Sequence, residues 1–336
     1  MRVVQIGNFE PPHSTENELK RALEDVGCEV IPVQENMREA KAFEEAAAWA
    51  KSSKAAFVLW TRTGWNWQEL GSSDFLAHEH QSRMIQNLRD AGIPTIGYHL
   101  DRWWGLSRQP QVYTEPFFRV DLLCTADGGH DDLWRAEGIE HVWFPPAVSR
   151  FECEPGEFIL EMAHDVNFVG SWQKGYHAEW PHRQKLTRHI QTTWGAQMWP
   201  SVGQPAVRRD DLRNLYRSGR VFVGDSCLVP RADGTPATRY CSDRVPETLG
   251  RGGFLIHPYV EGVTGGKDPM YYPDIHLVTW NLGDWEQLDQ IIEIMVNDDR
   301  SRIEIADAGR QRTLDLHTYS VRMTQLINLL DERKLL

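Results

Sequence analysis

The feature that most restricts this chain is a repeated alternation of short apolar runs with amphipathic helical stretches. VVQIG is followed by a stretch carrying Leu19, Ala22, Leu23 and Val26 at helical spacing, which ends at Gly27 and gives way to CEVIPV. This is a β-α-β unit. The alternation continues through a helix from Asn36 to Ser53, the strand AAFVLW, a helix from Asp74 to Ala91, the strands PTIGYHL and VDLLCTA, a short helix ending at Gly138, and HVWFPP. Such a pattern predicts an α/β fold in which a parallel sheet is covered by helices on both faces.

After Pro145 and Pro146 an irregular acidic stretch, AVSRFECEPGEFILEMAHD, interrupts the pattern and reads as an interdomain connection. A second cycle follows: the strand DVNFVGSW, the helix PHRQKLTRHIQ, a helix from Asp210 to Ser218, and the strands RVFVGDS, GFLIHP and HLVTW. Three helical patterns, Asp284 to Val296, Arg302 to Leu316 and Ser320 to Leu330, close the chain. A length of 336 residues suits two domains rather than one core. The expected division is 1–150 and 151–318, with 319–336 forming a helix that packs at the domain junction, and two domains imply a cleft.

Composition narrows the function classes. Hydrophobic residues make up 41% and charged residues 25%, and no run approaches the roughly 20 apolar residues of a membrane helix. MRVVQIGNF lacks the features of a secretory signal, so a cytoplasmic location is expected, with no membrane insertion. The five cysteines are scattered and contain no C-x-x-C pair, which suits reduced structural thiols. A net charge of −12 disfavours a broad phosphate-binding surface for nucleic acid. The 14 Trp include clusters at Trp60, Trp65 and Trp67, at Trp103 and Trp104, and at Trp194 and Trp199, open to core packing or to stacking on a sugar or base.

In open parallel sheets ligands bind beyond the carboxyl ends of the strands, where backbone N–H groups and helix N-termini favour anions. The first candidate loop runs from Gly7 to Thr15: Gly7 permits close backbone approach, and Ser14 is either a helix cap or an anion contact. It is not G-x-G-x-x-G and no acidic ribose ligand follows about 20 residues later, which disfavours a nicotinamide dehydrogenase. The second loop, Val169 to Gly175, offers Gly170, Ser171 and Lys174, with Arg183 at the next helix start, to a pyrophosphate. The richest segment is RYCSDRVPETLGRGG, Arg239 to Gly253, where Pro246 suits a first helical turn and Arg244 and Glu247 share a face.

DVNFVGSW, DLRNLYRSGRVFVGDS, YCSDRVPETLGRGGFLIHP and AGRQRTLDLHTYSVRMTQLI fall in order over about half the chain, and in this combination the sequence resembles the spore-maturation CgeB-like glycosyltransferases. The resemblance implies a GT-B fold: two Rossmann-like domains facing across a cleft, an N-terminal acceptor domain and a C-terminal nucleotide-sugar donor domain, with the C-terminal helices closing the junction. It implies that Glu247 accepts hydrogen bonds from the ribose hydroxyls, with Thr248 beside it, and that Arg244 orients that carboxylate or approaches the phosphates. Many retaining GT-B enzymes carry a second acidic residue eight positions earlier, where this chain has Arg239. Arg239 is therefore assigned to the diphosphate, and the stereochemistry is open.

The expected reaction is transfer of a sugar from a nucleoside-diphosphate sugar, a UDP-sugar, to a hydroxyl acceptor. With no D-x-D-like motif suitably placed, Arg, Lys and helix dipoles would stabilise the leaving diphosphate, and no metal or other cofactor is expected. An inverting reaction needs a general base, for which His99, Asp101 and His13 are the candidates. Acceptors from a polysaccharide to a hydroxymethylated DNA base stay open, nucleic acid only in that sense. The rivals are a nucleotide-sugar epimerase and a non-catalytic nucleotide- or glycan-binding protein. His78-Glu79-His80 puts its two imidazoles on different helix faces and does not suggest zinc. The Gly- and Pro-rich loop Glu261–Asp274 is read either as a lid or as a passive surface loop.

Overall fold

In the computed structural model, which describes residues 1–35, 41–62, 74–172, 181–226 and 239–336, contacts divide the chain into two units. The first comprises Met1–Phe144 with Tyr319–Leu336, and the second Pro145–Thr318.

The first unit is built on six parallel strands: β1 (Arg2–Gly7), β2 (Glu29–Gln34), β3 (Phe57–Thr61), β4 (Thr95–His99), β5 (Leu122–Thr125) and β6 (His141–Trp143). Their order is β2-β1-β3-β4-β5-β6. Every residue of β3, β4 and β5 is buried, which is why these strands read as continuous apolar runs rather than as an alternation. Pro32 is tolerated in β2 because that strand lies at the sheet edge, where a missing N–H breaks no inner ladder.

Helices α1 (Thr15–Asp25), α2 (Lys41–Ser53), α3 (Asp74–Asp90) and α4 (Asp131–Ala136) cover the sheet. Residues 36–40, the expected beginning of α2, lie outside the described residues. The core centres on Trp60, whose ring meets Phe43 and Phe117 edge-on at centroid distances of 5.3 and 5.0 Å. Trp103 and Trp134 are also fully buried, so these indoles pack the core, while Trp65 and Trp67 lie outside the described residues.

The second unit carries five parallel strands: β7 (Val166–Val169), β8 (Gln197–Trp199), β9 (Val221–Val223), β10 (Leu255–Pro258) and β11 (Val278–Trp280), in the order β11-β10-β9-β7-β8. Strand β8 has no counterpart in the sequence pattern. Three residues are too few to show a period, and pairing with β7 is what makes them a strand. The helices are α5 (Pro181–Trp194), α6 (Arg209–Ser218), α7 (Arg244–Gly250), α8 (Trp285–Asn297) and α9 (Asp299–Leu316). Helix α9 begins three residues before the periodic stretch because Asp298 caps it, accepting the Ser301 N–H at 3.0 Å. The last helix, α10 (Tyr319–Glu332), belongs to the first unit and packs on α1. Among the described residues no helix is long and apolar enough to cross a membrane, and Cys28, Cys124, Cys153 and Cys241 are buried thiols.

The loop Glu261–Asp274 is pinned to α9. Thr264 and Tyr271 are fully buried, Tyr271 OH lies 3.0 Å from Thr313 Oγ1, and Arg312 Nε and His317 Nε2 both reach the Met270 carbonyl, at 3.0 and 2.9 Å. Neither the lid nor the passive surface loop describes these contacts, which anchor part of the loop in the interior. Gly309 of α9 makes the close approach possible, since a Cβ there would lie 2.4 Å from the His276 carbonyl oxygen. Gly309→Ala is therefore expected to push α9 off this loop and destabilise the protein by about 1–3 kcal/mol, measured by urea denaturation.

Candidate functional site

In each sheet the first strand lies inside, with the second strand on one side and the third on the other. The chain thus leaves neighbouring strands in opposite directions, and a crevice opens beyond their carboxyl ends. In the second unit that place lies between β7 and β9, and the candidate donor residues gather there.

Gly170 follows β7 with φ +147°, a conformation essentially reserved for glycine, while its N–H donates to the Trp199 carbonyl at 2.9 Å. This turn opens a pocket of about 210 Å³ lined by Gly170, Ser171, Trp172, Trp199, Pro200, Val207, Arg208 and Arg244, among others. Two indoles form part of its wall. Trp172 Nε1 donates to the Pro200 carbonyl at 2.9 Å and Trp199 Nε1 to Asn167 Oδ1 at 3.0 Å, so both rings are held in place. Trp194, by contrast, donates to Asp289 Oδ1 at 2.7 Å and takes no part.

Arg244 also borders a smaller, more enclosed cavity with Arg183, Asp225, Ser226, Thr248 and His257. It stands at the start of α7, and its Nη1 donates to Glu247 Oε2 at 2.8 Å across one helical turn. Burial would lower the guanidinium pKa, but Glu247 and Asp243 outweigh it and hold the value above the ordinary one, so Arg244 stays charged. A carboxylate engaged on one side by Arg244, on the first turn of a helix, keeps acceptor capacity for hydroxyl groups.

Arg183 is fastened elsewhere. Its Nη2 and Nε grip Asp225 at 2.7 to 3.1 Å, and its Nη1 donates to the Ser171 carbonyl at 3.2 Å. Both side chains are almost wholly buried, at 9% and 1% exposure. The guanidinium thus ties the loop after β7 to the loop after β9, and its geometry is that of a clamp behind the site rather than of an open cation. Thr248 turns inward, its hydroxyl donating to Tyr216 OH at 3.2 Å. Arg239 lies across Gly262, where an added Cβ would stand 2.3 Å from its Nε. Lys174 lies outside the described residues.

Asp225, Ser226 and His257 escaped the sequence reading. Ser226 adopts φ +48° in the loop that follows β9, and its Oγ lies 2.5 Å from His257 Nε2, while His257 Nδ1 lies 2.8 Å from the Pro258 carbonyl. Burial pushes His257 down to about 4, so it is neutral; Nδ1 donates to the carbonyl and Nε2 accepts from Ser226. Their partners are 31 and 42 residues away in sequence, which leaves no local signature beyond GDS after a strand.

The first unit gives its expected residues structural settings. A Cβ on Gly7 would meet Glu16 Cγ at 2.5 Å, so glycine is needed where α1 crosses β1. Ser14 caps α1 by accepting the Asn17 N–H at 3.3 Å. His13 is exposed in the same loop. His99 is packed edge-on against Trp103 at 4.9 Å, and its Nδ1 accepts the Asp101 N–H at 3.0 Å. Burial lowers its pKa to about 3, which leaves a poor proton acceptor with one nitrogen already engaged. Asp101 is more open, half exposed and 3.2 Å from Arg108 Nη1. His80 pairs with Glu44 at 3.1 Å and Glu79 with Arg83 at 2.6 Å, both ordinary helix-surface contacts.

A family model described as glycosyl transferase-like matches residues 157–328, just over half of the chain. The chain belongs to this glycosyl transferase-like family. No curated protein matches it by sequence. Among solved structures this glycosyltransferase is similar to an alpha-glucosyltransferase in complex with UDP and a 13-mer DNA containing a central A:G mismatch, with TM-score 0.66 and 11% identity over 98% of this chain and 99% of that one. It is also similar to sucrose-phosphate synthase from Thermosynechococcus elongatus (TM-score 0.58, 10% identity, 99% and 100% covered) and to Anabaena HepE in complex with UDP (0.55, 10%, 99% and 100%). The fold is that of GT-B glycosyltransferases.

Asp225→Ala would strand the Arg183 charge inside the second unit. A loss of about 3–5 kcal/mol is expected by chemical denaturation, largely recovered when Arg183 is replaced by Met in the same chain. Acid should also weaken the fold. His99, His141 and His257 have folded pKa values of about 3, 4 and 4, whereas unfolded histidine titrates near about 6.5. The stability they support is present above that pH and lost as pH falls from about 6.5 to 4, because the unfolded chain takes up protons first. A stability profile that stays flat through this window would contradict the assignment of three neutral rings.

Proposed function

We propose that this glycosyltransferase moves a sugar from a nucleoside-diphosphate sugar, specifically a UDP-sugar, to a hydroxyl acceptor, with the donor held by the second unit. The observation that carries the reading is the Arg244–Glu247 pair on the first turn of α7, beside the pocket bordered by Trp172 and Trp199. In this reading Glu247 accepts the ribose hydroxyls and the indole-lined pocket takes the base. The diphosphate meets Arg244, Arg208 and the N–H groups around Gly170 and Ser171, with Arg239 and Lys174 as further cations. Arg183 and Asp225 keep the two loops in register behind it.

UDP or UDP-glucose is bound in structures of two similar molecules, an alpha-glucosyltransferase and Anabaena HepE, which supports the choice of donor. The motifs shared with CgeB-like enzymes support that branch of the family. Stabilisation of the leaving group by guanidinium and backbone N–H groups supports a reaction without metal. The first unit is assigned to the acceptor, with Asp101 more accessible than His99. A net charge of −12 supports a small or saccharide acceptor, with a hydroxymethylated DNA base retained as a member of the acceptor panel.

The test is calorimetric titration with UDP followed by a donor and acceptor screen in EDTA. Glu247→Ala should weaken UDP binding at least about tenfold, the equivalent of one lost charge-assisted hydrogen bond pair. Unchanged affinity would remove Glu247 from the site. Release of UDP that requires an acceptor supports transfer; a sugar isomer still attached to UDP would identify an epimerase, and binding without turnover a non-catalytic protein.

A further inference from the structure

The segment leading into β7 presents large apolar side chains to water on a backbone that is firmly held. Gly156 lies so close to α6 that a Cβ there would stand 2.3 Å from the Arg213 carbonyl carbon. The Glu157 N–H then donates to Asn214 Oδ1 and the Ile159 N–H to Ser218 Oγ, both at 2.8 Å. Between and beyond these anchors Phe158 and Leu160 remain 60% and 75% exposed. Single exposed apolar residues are ordinary, but two of them fixed beside a recess mark an interaction surface.

The recess is a groove of about 460 Å³ at the amino edge of the second sheet, where Asp165 precedes β7, Arg220 precedes β9 and Phe254 precedes β10. The donor candidates gather beyond the opposite ends of the same strands, so this is a separate place. Small residues, Ala163, Gly219, Gly252 and Ala306, give the groove its room, and Ile303 of α9 borders it with 55% exposure. Two of its three arginines are paired, Arg220 with Asp165 at 3.0 Å and Arg302 with Asp299. The third, Arg217, is exposed and has no ion pair or hydrogen bond among the described residues. The same holds for the exposed carboxylate of Glu161, next to Leu160.

We propose that this groove is the docking surface for a second copy of the chain, related to the first by a two-fold axis. Such an interface needs one surface that complements itself. This one carries projecting side chains, Phe158 and Leu160, beside a recess lined by small residues, and an unpaired cation, Arg217, near an unpaired carboxylate, Glu161. In the pair, Phe158 and Leu160 of each protomer enter the groove of its partner, and Glu161 of each meets Arg217 of the other. Charge selects this occupant. Three arginines against two aspartates make the groove locally positive in a chain of net charge −12, so it favours an acidic, apolar segment, and the chain supplies one in GEFILEM.

The experiment is sedimentation velocity of the full chain from about 1 to 100 µM, the range in which interfaces of modest size dissociate. Wild type should pass from one chain to two across that range. Leu160→Glu should raise the dissociation constant at least about 100-fold, since it places a charge in the apolar centre. Arg217→Glu and Glu161→Arg should each raise it at least about tenfold. Mixed in equal amounts, these two variants should associate again, because each supplies the charge the other lacks; misfolding would not be rescued in this way. The substituted side chains are all exposed, so circular dichroism should be unchanged and UDP affinity should stay within about twofold of wild type. A wild type that stays monomeric to about 100 µM overturns the proposal. If anilinonaphthalenesulfonate then binds that monomer but not Leu160→Glu, the occupant is a small apolar anion instead. A dimer that Leu160→Glu leaves intact, or charge variants that stay apart when mixed, overturns it equally.

Discussion

Parallel strands cannot be joined by hairpins, so every connection must leave the carboxyl edge of the sheet, cross one face, and return at the amino edge. This one constraint concentrates the chemistry. Gly7, His99 and Asp127 all stand at or just beyond strand ends of the first sheet, and Gly170, Asp225 and His257 do so on the second. Residues separated by tens of positions in the chain become neighbours because their strands run the same way and stop at the same level.

What holds the second site in shape is a buried ion pair rather than apolar packing. Arg183 and Asp225 link the loops that follow two adjacent strands, at the point where those loops would otherwise be free to part. Such a pair gains little net stability, since desolvation of both charges offsets their attraction. Its value is geometric: a planar guanidinium with fixed donors sets the separation of the two loops and the position of Gly170, Ser171 and Ser226 around them. Arg244 and Glu247, paired with each other at 2.8 Å, are by contrast only partly buried.

Much of the fold was legible because it rests on local patterns. The period of α1, the buried runs of β3 to β5 and the break after Pro146 can be read without any partner residue, and Asp298 could have been recognised as a cap. Strand β8 could not, because its three residues become a strand only through pairing with β7. In the same way the segment around Arg244 and Glu247 was visible as a cluster of polar residues on a first helical turn. The reading of Arg183 as an open cation was a reasonable inference from its place at a helix start, yet the side chain is committed to Asp225, 42 residues away.

The sequence by itself determined the class of architecture, the two-cycle organisation, and the segment in which the donor chemistry is sought, because hydrophobic periodicity and turn residues act over a few positions. Only the tertiary structure decided which of the polar residues are open. His99 has its ring packed and one nitrogen engaged, Thr248 faces Tyr216, and Ser14 serves its helix, whereas Asp101 stays half exposed. The physical reason is that burial and hydrogen-bond satisfaction are properties of the space around a group, and in a parallel α/β fold that space is filled by residues distant in the chain.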